Sequence, residues 1–204
     1  MAEIQIDVRP SGVESAIVYA PFDEGLELLT KNRYELIAAK QNAQLRIQQG
    51  PQTPISQNGN WVKEGPLYRP NEKNRLVRIS PIIASAKEAT QAHREGKEFY
   101  PNESQIEQAL ADSIAFPDKN KEIPTNRFNE DELTSWLFGN EAQLYGDFLG
   151  NNGIKQMPVW VVDKSSVDNQ KKPFARQLWF DRLGGDGSGL VVTTTISSTS
   201  TGFV

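Results

Sequence analysis

The chain has 204 residues, 37% hydrophobic and 24% charged, which is enough apolar side chain for a packed core and unlike the composition of a disordered chain. With no cysteine and a single histidine, it excludes disulfides, thiolate zinc sites, iron–sulfur ligation and histidine-pair metal sites within one chain. A net charge of −4 works against global attraction to nucleic acid or anionic lipid, while local patches are free to differ.

Ile4, Ile6 and Val8 alternate with Glu3, Gln5 and Asp7, which predicts a half-buried strand turned by Arg9-Pro10-Ser11-Gly12. A second strand is predicted from Ala16 to Ala20, followed by a short helix capped by Asp23 and running through Leu29. Asn32 with Glu35 has the spacing of a capping box, so a helix is expected through Ile37, Ala38 and Gln41. Beyond it Leu45 and Ile47 alternate with Arg46 and Gln48, a strand pattern that Gly50-Pro51 breaks.

Residues 52–80 read as β-rich, with a turn at Asn58-Gly59 and strands around Trp61-Val62 and around Leu76, Val77 and Ile79. Ser80-Pro81 opens a helix whose stripe is Ile82, Ala86, Ala89 and His93, and Asn102 with Gln105 opens another that turns Ile106, Ala109, Leu110, Ser113 and Ile114 inward. Residues 116–128 carry two prolines and several lysines and read as an exposed loop. Asn129 with Glu132, and Asn140 with Gln143, introduce short helices that direct Leu133, Trp136 and Leu137, then Leu144, Tyr145 and Phe148, to the core. Strands are expected over residues 157–162, 174–183 and 190–196, the last followed by a Ser/Thr-rich stretch. Strands and helices cluster rather than alternate, which predicts an α+β fold: antiparallel β segments near both ends and in the middle, with a central helical region on one face. One globular domain over residues 1–196 and a tail over residues 197–204 are the expected organisation.

Few residues offer catalysis. His93 shares a helical stripe with apolar residues, the pattern of a packed histidine. Residues 184–189 contain Gly184, Gly185, Gly187 and Gly189, but the following segment reads as a strand rather than the helix a phosphate cradle needs, so a hairpin connection is expected. Asp163 and Asp168 lack a recognised ligand spacing, and Glu95-Gly96-Lys97 falls at a helix end. No catalytic residue, metal site or cofactor is assigned.

Two features point to binding. Trp61, Lys63, Tyr68, Arg69, Arg75 and Arg78 interleave rings with cations, as in strands that track a phosphate backbone and stack bases; Lys171, Lys172, Arg176 and Arg182 beside Phe174, Trp179 and Phe180 repeat the pattern. The competing explanation is a sheet with one charged wet face and one aromatic core face. The second feature is Leu190, Val191, Val192, Thr193, Thr194, Thr195 and Ile196, an uncharged β-branched segment suited to a sheet edge of its own chain or of a neighbouring subunit. The leading expectation is therefore a non-enzymatic binding or assembly protein with a protein partner, including a second copy. The alternatives are a single-stranded nucleic-acid-binding protein and a metal-dependent hydrolase or nuclease using carboxylates. No apolar run approaches the roughly 20 residues of a membrane span, and the opening lacks signal-peptide zones, so a cytoplasmic location without membrane contact is the default expectation.

Overall fold

The N-terminal alternation forms a strand: in the computed structural model, which describes residues 3–8, 14–184, 189–193 and 200–202, β1 (Glu3–Val8) runs antiparallel to β2 (Glu14–Ala20). Ile6 is nonetheless 52% exposed, on a strand at the edge of its sheet. Pro21 ends β2 and precedes α1 (Phe22–Lys31), where Asp23 occupies the first turn rather than the cap. The helix expected from Asn32 does not form. Asn32 instead closes α1, donating its side-chain amide to Leu28 O at 2.8 Å, and Arg33 follows with φ of 67°. The chain then runs extended to α2 (Ala39–Gln49), so the segment Leu45 to Gln48 is helical, not a strand.

After α3 (Pro54–Gln57) come β3 (Asn60–Trp61), β4 (Gly65–Tyr68) and β5 (Arg75–Val77). Ser80 caps the next helix as its sequence suggests, accepting a bond from Ile82 N–H, but the helix breaks at Ser85 into α4 (Pro81–Ala84) and α5 (Ala86–Arg94). The capping box at Asn102 and Gln105 is formed in both directions and opens α6 (Glu103–Leu110). Ser113 and Ile114 leave the helix and pair with β5 as β6 (Ser113–Ala115).

The segment expected as an exposed loop contains β7 (Lys121–Pro124), and Phe116, Ile123 and Phe128 are buried. Proline is tolerated there because β7 lies at a sheet edge. In α7 (Glu132–Phe138) the cap is Asp131, which accepts from Leu133 and Thr134 N–H. A short 3₁₀ turn leads into α8 (Ala142–Asn151), which buries Tyr145 but turns Leu144 outward. The remaining elements are β8 (Gln156–Trp160), α9 (Lys164–Asp168), β9 (Phe174–Ala175), β10 (Gln177–Phe180), β11 (Leu190–Thr193) and β12 (Ser200–Gly202).

The strands form three sheets in the orders β1-β2-β12, β3-β10-β11-β8-β7 and β6-β5-β4-β9. All pairs are antiparallel except β8 with β11, so the mixed α+β class expected from the sequence is the one observed. The largest apolar cluster joins Phe128, Leu137, Phe138 and Tyr145 of the helical region to Phe180 and Leu190 of the second sheet. A second cluster, around Phe22, Trp61, Val77 and Ile82, lies between α1, α4 and the strands.

Candidate binding groove

An open groove of about 1070 Å³ runs between α1 and the α4–α5 pair. The turn at Asn32-Arg33 builds one lip: Tyr34 N–H bonds back to Leu29 O, and the extended chain that follows is tied down by Lys63 N–H to Ile37 O at 2.8 Å. The other side is set where Ser80 N–H donates to Lys63 O at 2.8 Å, which places Ile79 at the surface with 62% of its area exposed. Leu26, Leu36, Ile79 and Ile83 supply the apolar part of the lining.

Charges of both signs surround it. Lys63 bonds Glu35 at 2.6 Å, and that contact holds the Glu35 carboxyl below its usual range. Lys87 faces Glu27 across the groove at 3.7 Å. A second hollow, of about 900 Å³, shares Lys87 and Glu88 and continues past Gln91 to Tyr100, whose hydroxyl donates to Gln170 at 3.1 Å.

The basic and aromatic residues singled out in the sequence do not share a face. Trp61 is buried edge-on to Phe22 and Trp179. Tyr68 is fully buried, stacked on Phe174, with its hydroxyl oxygen accepting from Val162 N–H at 3.1 Å; burial pushes its pKa up. Neither ring can stack on a base without leaving the core. Lys63 belongs to the groove, Arg69 pairs with Glu72, and Arg75 donates to Ser113 O at 2.7 Å. Arg78 lies between Glu64 and Asp112, over the indole of Trp136. In the second cluster Arg176 pairs with Glu98, and Phe174 and Phe180 are buried.

Leu190 to Thr193 lies between β10 and β8, with both of its edges occupied within the chain. Thr194, Thr195, Ile196 and most of the glycine loop lie outside the described residues. Asp163 caps α9 through Ser165 N–H, and Asp168 accepts from Lys164 and Asn71 N–H at 2.7 Å each. Among the described residues no group of three or more His, Asp or Glu side chains is placed to hold a metal ion. Nor is any described helix long and apolar enough to cross a membrane.

The groove was not legible in the sequence, although Lys63 was singled out there, because its residues come from three separated stretches, 23–36, 63 and 79–88, and each is ordinary in its own. Glu64 was missed for a related reason. It is a fully buried acid, and the only signal in the sequence is its position between the apolar pairs Trp61-Val62 and Leu67-Tyr68.

The α+β fold is similar to that of a solved C-type lectin-fold structure. That structure is described as accommodation of massive sequence variation in Nanoarchaeota by the C-type lectin fold; it superposes with a TM-score of 0.67 at 14% sequence identity, over 100% of this chain and 96% of that one. At that identity the likeness is one of fold. No protein-family model and no curated protein matches the chain.

Proposed function

We propose that this chain is a non-enzymatic binding protein that uses the groove between α1 and the α4–α5 pair to hold an apolar side chain of a protein partner. The observation that carries this reading is the groove itself, an apolar lining with a solvent-exposed isoleucine inside a rim of lysines and acids. Interfaces of this kind place an apolar anchor at the centre and polar groups around it. Acids on the rim, Glu27, Glu35 and Glu88 among them, would face the phosphates of a nucleic acid unfavourably, which supports a protein partner. The similar structure is described as accommodation of massive sequence variation in Nanoarchaeota by its fold, which is in keeping with a scaffold that supports varied surfaces.

The test is selection of peptides from a random display library on the full chain, followed by affinity measurement on two variants. Ile79→Glu puts a charge in the groove at an exposed position, so the fold is retained, and it should weaken the selected peptides roughly tenfold or more. Leu144→Glu, at an exposed leucine on α8 away from the groove, should leave them unchanged. Peptides that bind Ile79→Glu as well as the parent chain would overturn the reading.

A further inference from the structure

The residues on either side of the groove lip have their side chains on the opposite, inner side. Glu64 follows Lys63 in the chain and is fully buried. Its Oε2 accepts Ala39 N–H at 2.9 Å and so serves as the N-terminal cap that α2 lacks locally, since its N-cap residue, Ala38, has no side-chain acceptor. Its Oε1 is buried and accepts no hydrogen bond. Arg78, which precedes Ile79, brings Nη1 to 3.6 Å from that oxygen, an ion-pair distance but too long for a hydrogen bond.

Arg78 has further partners. Its guanidinium carbon lies 3.5 Å from the centroid of the Trp136 ring, Nη2 donates to Trp136 O at 3.2 Å, and Nε is 3.6 Å from exposed Asp112. The side chain is 35% exposed, so water also competes for it. One orphaned carboxylate oxygen is thus the inner anchor of an arginine that joins the end of β5 to α7.

We propose that Glu64, Arg78 and Trp136 form a proton-operated latch. With the Glu64 carboxyl ionised, Arg78 is drawn inward and held flat on Trp136; with the carboxyl protonated, the inward pull is lost and Arg78 turns to Asp112 and water. The step moves one proton between the carboxyl and solvent and changes no covalent bond. Burial, opposed by the Ala39 N–H bond and by Arg78, pushes the Glu64 carboxyl up to about 7, so the latch works near neutrality.

The groups around the carboxyl leave it the group that titrates there. α2 presents the Ala39 amide, and Gln177 of β10 donates to Glu64 O at 3.1 Å; neither titrates. Arg78 faces the carboxyl at 3.6 Å, Asp112 stands beyond it, and Lys63 on the groove side is paired with Glu35. His93, the one histidine in the sequence, is on α5, in none of β5, α2 and α7, the elements that the latch residues hold together.

The experiment follows the tryptophan fluorescence of the full chain from about pH 5 to pH 9, with Trp136→Phe subtracted to isolate the Trp136 contribution. A single transition centred near 7 is expected, absent in Glu64→Gln and abolished or strongly reduced in Arg78→Lys, which keeps the charge but loses the planar stack. The Glu64 side-chain carboxyl, followed by carbon-13 NMR in the parent chain, should titrate with the same midpoint, so the test stands even if Glu64→Gln fails to fold. A Trp136 transition that persists in Glu64→Gln overturns the latch, as does a carboxyl that titrates in the ordinary glutamate range or a Trp136 signal that is flat across the window.

Discussion

Glu64 is held where a carboxylate has one strong hydrogen bond, one ion pair at 3.6 Å and no exposed surface, and the balance favours its proton. Its pKa in the folded chain is raised from 4.5 to about 7, so the folded state binds the proton more tightly than the unfolded state does. The stability that follows is fully present below about pH 4.5 and is lost as the pH rises through about 7. A displacement of that size corresponds to about 3 kcal/mol. Urea unfolding at about pH 5 and about pH 8 should show the midpoint falling in the parent chain and flat in Glu64→Gln, which keeps an acceptor for Ala39 N–H. A midpoint that does not move in the parent chain would mean that the carboxyl keeps its ordinary value. The acid's role was not legible in the sequence, because burial of Glu64 depends on α2 and β10 arriving from distant parts of the chain.

At the scale of elements, α8 shows how closely backbone must approach backbone here. A Cβ at Gly146 would lie 2.2 Å from Thr125 O and 3.0 Å from the Phe128 side chain. Alanine would gain up to about 1 kcal/mol in helix propensity, but the clash is with main chain that the β7–β8 pairing holds in place. Gly146→Ala should therefore destabilise the chain by about 1–3 kcal/mol, read as a lower melting midpoint; a raised midpoint would show that the 125–127 turn moves aside. Elements whose signals are local were legible: the period-2 run of β1, the Ser80-Pro81 start, and the Asn102–Gln105 box. Those that failed depend on distant partners. Asn32 and Glu35 have capping-box spacing, yet Asn32 ends the preceding helix, and α2 starts seven residues later where Glu64 supplies the acceptor. Arg46 looked like the wet side of a strand, but it is buried in a helix and donates to Tyr145 Oη at 3.1 Å, Ile55 O at 3.1 Å and Asp181 O at 2.8 Å. Trp61 and Tyr68 belong to the same class of ambiguity. An aromatic core face and a base-stacking face have the same alternation, and only the third dimension separates them.

In the whole molecule the last strands return to what the first ones began. β11 lies between β10, in the register Gln177 with Thr193 to Phe180 with Leu190, and β8, where Leu190 meets Val159. β12 covers the edge of β2, with Ser200 opposite Ala20 and Gly202 opposite Val18. Leu190 is also fully buried in the main apolar cluster. Deleting residues 190–204 would therefore remove an interior strand from one sheet and an edge strand from another, and would leave β8 and β10 with unpaired backbone groups facing the core. We expect the truncated chain to lose its near-ultraviolet circular dichroism and its cooperative melting, because the missing strand cannot be replaced from within. The measurement also bears on the alternative that this segment serves assembly. A truncated chain that keeps its melting midpoint and far-ultraviolet spectrum, while its sedimentation mass falls from oligomer to monomer, would assign the pairing of residues 190–196 to a neighbouring subunit.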